Sequence, residues 1–222
     1  MSILENIRKL KAEISGHVEI IAVSKRKPVK DILLAYETGH RIFGENRVQE
    51  LIEKQPLLPG DINWHMVGHL QTNKVKYIAE FVDMIHSVDS LKLALAIDRE
   101  AKKNGRVIPV LLQMHIADED SKFGFTEDEL NSLLDLPEFS VLKNLRIDGL
   151  MGMATYTKDL DKIRSEFRYL GEVFSRVKNA YFAGSDHFRQ ISMGMSGDYE
   201  IAIEEGSTMI RVGTLIFGAR TY

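Results

Sequence analysis

Cysteine is absent from the 222 residues, which excludes disulfide stapling, thiolate catalysis and cysteine-based zinc sites together. No apolar run approaches the roughly 20 residues that span a bilayer. The opening MSILENIRKLKAEI intersperses charges among its apolar residues, unlike the basic-then-apolar pattern of a signal peptide. A soluble, unexported, cytoplasmic chain is the expectation. An excess of cationic charge is also lacking: 29 Lys+Arg face 32 Asp+Glu, a net charge of −3, so no sequence-wide field recruits nucleic acid or an anionic membrane. With five prolines and sixteen glycines, no Pro-rich or Gly/Ser-rich linker divides the chain, and one domain over 1–222 is expected. No long exposed apolar helix or edge strand asks for a partner, so a monomer is expected.

What is present is a core-forming chain, 44% hydrophobic, in which apolar β-branched runs alternate with segments of helical period. Ile3, Ile7, Leu10 and Ile14 form one stripe of a leading helix. The run VEIIAVS at 18–24 is apolar almost throughout, as a parallel strand buried on both faces should be. Pro28 supplies a helix start, with Val29, Ile32, Leu33 and Tyr36 as its stripe and Gly39 as C-cap. Further strands are predicted at 41–43, 62–67, 81–88, 107–116, 145–151, 190–193 and 209–212. Helices are predicted near 45–55, 73–80, 90–103, 126–134, 160–177 and 199–204. Eight alternating β and α units imply a parallel sheet, and in a chain this short they favour closure into a single (β/α)8 barrel of TIM type, with an extra N-terminal helix.

In such a barrel the ligand site lies at the C-terminal ends of the strands, often with phosphate bound after strands seven and eight. The seventh strand leads into Gly194-Met195-Ser196-Gly197-Asp198 and the eighth into Gly213-Thr214. Backbone N–H groups and the Ser196 and Thr214 hydroxyls can converge there on an anion. Read singly, each turn is ordinary: Ser196 or Asp198 as N-cap, and Gly213 for a tight turn. Their pairing at the last two units, with Arg211 where a core strand prefers an apolar residue, points to a phosphate cradle.

The first strand ends directly in Lys25. An amine at the end of a buried strand is partly desolvated, which suits a Schiff-base nucleophile; beside Arg26 and Lys27 it is equally a solvated loop lysine. After the second strand, Glu45 is placed to cap a helix dipole, while Asn46 can reach a ligand oxygen. His65 and His69 have H-x-x-x-H spacing but sit on a strand running into a loop, without the helix face and intervening glutamate of a zinc motif. The other histidines form no cluster, and no metal site is expected.

Several segments together resemble the pyridoxal phosphate homeostasis protein family, also called the proline synthase co-transcribed homologue family. They are Ala22-Val23-Ser24-Lys25, Phe43-Gly44-Glu45-Asn46, Trp64-His65-Met66-Val67-Gly68-His69-Leu70-Gln71-Thr72-Asn73-Lys74, Leu150-Met151-Gly152-Met153-Ala154, Ser192-Met193-Gly194-Met195-Ser196, and Ile210-Arg211-Val212-Gly213-Thr214 with Ile216-Phe217-Gly218-Ala219-Arg220. The resemblance runs from about residue 18 to the C-terminus. It implies a barrel similar to the alanine racemase N-terminal domain that carries pyridoxal 5′-phosphate (PLP). Lys25 would be the Schiff-base lysine. Ser196 with Gly197 and Gly213 with Thr214 would bind phosphate, and Arg211 would face the pyridine nitrogen. Asn46, Met151 and Ser192 would neighbour the cofactor. Gly197 is a departure, since a polar or acidic residue is expected there in many relatives; the side-chain contacts of that turn stay open.

A cation beside the pyridine nitrogen disfavours its protonation and weakens the ring as an electron sink. Racemisation needs proton donors and acceptors on both faces of the substrate, and alanine racemase takes its second group from a further β-domain. Here the chain stops at Tyr222, after the eighth unit. The expectation is therefore a non-catalytic PLP carrier, with PLP-dependent apo-enzymes as possible recipients. The alternative is a PLP-dependent racemase that takes its second base from Tyr156 or another chain, and a weaker third reading is a phosphosugar enzyme without PLP.

Overall fold

The computed structural model describes residues 2–14, 16–118 and 123–218. Its strands are β1 Glu19–Val23, β2 Ile42–Glu45, β3 Asn63–Met66, β4 Met84–Val88, β5 Ile108–Gln113, β6 Leu145–Met151, β7 Gln190–Met195 and β8 Met209–Val212. They form a closed barrel in chain order, every neighbouring pair parallel, with β8 returning to β1. The α-helices are α1 Ile3–Glu13, α2 Val29–Tyr36, α3 Val48–Lys54, α4 Leu91–Lys103, α5 Glu127–Leu134, α6 Pro137–Ser140, α7 Leu160–Tyr181, α8 Tyr199–Glu204 and α9 Thr214–Phe217. Short 3₁₀ helices occupy Gln55–Leu57 and Thr72–Tyr77. None of the helices is long and apolar enough to cross a membrane, among the described residues.

Local chemistry explains where the helices start. Ser2 and Thr126 each form a reciprocal capping box, with Glu5 and Glu129. Ser90 and Asp159 accept from Leu93 and Lys162 N–H at the heads of α4 and α7. The expected helix at 73–80 is instead the second 3₁₀ helix, and α6 and α9, four residues each, are too short to show a period. The expected strands at 81–88 and 107–116 are trimmed to β4 and β5, because the ladder ends where the barrel's edge does.

Side-chain alternation sorts the strands' residues into two apolar groups. Ile20, Ala22, Phe43, Trp64, Met66, Ile85, Ile210 and Val212 face the helices in the larger core. Ile21, Val23, Val67, Met84, Leu111, Met151 and Met209 pack separately, with Ile42 and Met153, in the barrel's interior. Glu45 belongs to the outward set, which corrects its expected role. It is the last residue of β2, fully buried, and α3 begins three residues later with Arg47 as N-cap. The strand extends this far because Glu45 finds Ser24 and Lys54 behind the sheet rather than a helix terminus.

On the opposite side of the barrel, at the N-terminal ends of the strands, His40 is 5% exposed and hydrogen-bonds Ile42 O through Nε2 at 2.8 Å, edge-on to Phe43. Burial holds its pKa down to about 4. The unfolded imidazole takes its proton near 6.5 and the folded one near 4, so the stability it contributes is complete above 6.5 and lost as pH falls towards 4. The loss is on the order of 3 kcal/mol. His40→Gln, which keeps a donor for Ile42, should flatten the dependence of urea-unfolding free energy on pH across that window.

Candidate functional site

The closing register decides which loops meet. Ala22 pairs with Val212 across β1 and β8, and Val23 pairs with Gly44 across β1 and β2. Lys25, three residues past Ala22, therefore shares a rim with Gly213 and Thr214 on one side and Asn46 on the other. Lys25 lies two residues past Val23, the end of β1, and Asn46 directly after Glu45, the end of β2. Both are half-buried, and they line a cavity of about 370 Å³ over the head of α3, with Arg26, Arg47, Gln49, Glu50 and Glu53.

The seventh and eighth turns meet as well. Ser196 Oγ accepts from Gly213 N–H at 3.2 Å, so Ser196 bonds across to the neighbouring turn instead of capping α8. Asp198 shapes its own turn by accepting from Met195 N–H at 2.5 Å. A Cβ on Gly213 would lie 3.1 Å from Val23 O, so glycine lets the last turn close tightly on β1. Gly197 and Thr214 are exposed at the same rim. Below it lie Met151 and Ser192, both fully buried, and Arg211, 5% exposed. The Arg211 guanidinium donates from Nη1 to Ser192 O at 2.8 Å and Oγ at 2.6 Å, and from Nη2 to Gly152 O at 3.0 Å. Burial lowers its pKa to about 10, which leaves it charged at neutral pH with uncharged acceptors around it. Ala219 and Arg220 lie outside the described residues.

Two arrangements escaped the sequence. Behind Lys25, Lys54 Nζ donates to Ser24 O at 2.8 Å and Glu45 Oε1 at 2.7 Å, and Ser24 Oγ donates to Glu45 Oε1 at 2.6 Å. Glu50 takes Arg26 N–H at 2.6 Å and stands 3.4 Å from Lys54. Arg26 is the one described non-glycine residue with positive φ, 60°, and its strain follows Lys25 directly. The second is polar and internal: His65 Nδ1 lies 3.0 Å from His86 Nε2, and His86 Nδ1 lies 2.9 Å from Ser192 Oγ. A histidine inside the apolar run Met84-Ile85-His86-Ser87-Val88 was the available signal. His69 instead pairs with Asp89 at 3.1 Å and stacks on Phe123. The two rings of the H-x-x-x-H spacing thus have different partners, and no cluster able to hold a metal occurs among the described residues.

A buried cation edge below a glycine-lined double turn, with an amine on the same rim, fits a phosphorylated aromatic aldehyde. Over residues 1–221 the chain matches the family described as alanine racemase, N-terminal domain. An Aquifex aeolicus protein named pyridoxal phosphate homeostasis protein is 39% identical over 226 residues, 99% of this chain and 96% of its own. The Escherichia coli K12 protein of the same name is 37% identical over 209 residues, 92% and 87% of the two chains. PipY of Synechococcus elongatus, solved with PLP bound, superimposes with TM-score 0.89 at 37% identity, covering 98% of this chain and all of that one. Alanine racemase of Clostridium difficile superimposes with TM-score 0.77 at 16% identity, over 100% of this chain and 57% of its own, and shows the shared fold.

Glu45 has one oxygen, Oε2, buried without a partner, and burial pushes its pKa up to about 7 against the pull of Lys54 and Ser24. Lys54→Met removes the counter-ion. It should cost about 3 kcal/mol above pH 7 and less near pH 5, because a protonated carboxyl needs no cation. Urea unfolding at the two pH values measures the difference.

Proposed function

The chain belongs to the alanine racemase N-terminal domain family and, within it, to the pyridoxal phosphate homeostasis proteins, and from that premise we propose that it carries PLP reversibly on Lys25 instead of turning over a substrate. The observation that carries the reading is the shared rim, with β8 paired to β1 and Ser196 tied to Gly213. When bound, the cofactor brings an aldehyde whose carbon accepts an amine, a C=N bond forming as water leaves. The chain's own residues do the rest. Lys25 supplies the amine from the turn that follows β1. Ser196, Gly197, Gly213 and Thr214 present hydroxyl and backbone donors to phosphate. Arg211 offers a fixed positive edge to a ring nitrogen and so keeps that nitrogen unprotonated. Asn46 and Met151 border the ring, and Ser192 seats Arg211.

We read 1–222 as one PLP-binding barrel, monomeric and cytoplasmic, that buffers a reactive aldehyde and passes it to apo-enzymes. The racemase alternative needs a second acid/base group, and its candidate Tyr156 is 98% exposed on the loop between β6 and α7.

Borohydride reduction of the PLP-loaded protein, followed by peptide mapping, should place the label on Lys25, and Lys25→Ala should lose the visible band. A label on any other lysine overturns the assignment. Cα deuterium exchange of amino acids at about 1 per second or faster would favour catalysis over carriage.

A further inference from the structure

The interior of this barrel is apolar in the cluster from Ile21 to Met209 but carries a polar chain across it, from β8 through β7 and β4 to β3. Its members are Arg211, Ser192, His86 and His65, each at most 5% exposed. Bulky branched side chains fill such positions in most barrels, and a buried guanidinium with two buried imidazoles is costly by comparison. Filling space does not explain it.

The bonds in the chain have one direction. Arginine only donates, so Ser192 Oγ accepts from Nη1 at 2.6 Å. The Ser192 hydroxyl proton is then left for His86 Nδ1, at 2.9 Å. With Nδ1 accepting, the neutral His86 ring carries its proton on Nε2, which donates to His65 Nδ1 at 3.0 Å. His65 is fixed in the same tautomer in turn. Burial holds both rings in the neutral form, His65 with a pKa of about 3 and His86 well below the usual histidine value, the latter also repelled by His65 and Arg211. No member can reverse its bond without stranding a buried donor or acceptor.

We propose that His86 and His65 are positioning residues for the cofactor: acting through Ser192, they hold the Arg211 guanidinium in one orientation, as a permanent donor towards the ring. This rests on the reading that the barrel mouth holds PLP. His86→Phe and Ser192→Ala each break the chain next to its charged end, and His86→Gln keeps an acceptor for Ser192 and a donor for His65.

Two measurements test it together. In the PLP-free protein, ¹⁵N chemical shifts of the imidazoles should report the Nε2–H tautomer for both His65 and His86, with His86 becoming a tautomer mixture in Ser192→Ala. In the PLP-loaded protein, His86→Phe and Ser192→Ala should bind PLP about tenfold more weakly and shift the pH midpoint of the Lys25 adduct's visible band. His86→Gln should restore both to within about twofold. An Nδ1–H tautomer on either ring overturns the direction of the chain. Folded His86→Phe and Ser192→Ala proteins with wild-type affinity and midpoint overturn the positioning role, even with PLP on Lys25. If His86→Phe does not fold, Ser192→Ala decides alone. Wild-type protein that forms no adduct on Lys25 overturns the carrier reading and the positioning role with it, while the tautomer result then stands as a property of the barrel alone.

Discussion

Lys25 and Gly213 are nearly 190 residues apart in the chain and come together because β8 pairs in parallel with β1. That single ladder closes the barrel, and every feature of the rim depends on it. The ladder sets Gly213 against Val23 O, which only a residue without a side chain tolerates at 3.1 Å without the neighbour giving way. It places Arg211 opposite Ile21, beneath the mouth. Parallel pairing between distant segments is entropically expensive to nucleate. What repays it is the burial of both sheet faces, the outer against helices and the inner against itself.

The second constraint is electrostatic. Two buried cations lie near the mouth, and the barrel treats them oppositely. Lys54 sits behind the sheet with a carboxylate at 2.7 Å, and its charge is spent on tying β1, β2 and α3 together around the turn that bears Lys25. Arg211 sits in the interior among carbonyl and hydroxyl oxygens, so its charge is left for whatever enters. A cation in an ion pair builds structure; one bonded to neutral oxygens in a dry interior, with Asp198 adding attraction, can still draw an electron-rich ligand atom. The strained backbone at Arg26, held through Glu50, extends the first device to the residue beside the reactive amine.

Much of this was legible in the chain. The stripe through Ile163, Phe167, Leu170, Phe174 and Val177 marks α7, and the apolar run around Ile20 to Val23 marks a doubly buried strand, because periodicity and burial are written locally. Lys25, Ser196, Arg211 and Gly213 could be singled out because each interrupts its local pattern at the end where such barrels bind ligands. The limits were equally local. Glu45 read as a helix cap because the next segment is helical, and nothing within a few residues announces Lys54 as its partner. His65 could be separated from His69 by the strand-to-loop break between them, but nothing local announces its partner, His86, 21 residues away on the next strand.

By itself the sequence determined the alternation of elements, the eight units and the residue types available at each strand's end, since these follow from short-range pattern and composition. Only the tertiary structure decided which of those ends share a rim, which face of each strand points inward, and which buried polar groups find one another. Those outcomes depend on strand register and barrel closure, which couple residues across the whole length of the chain and leave no periodic trace within any one stretch of it.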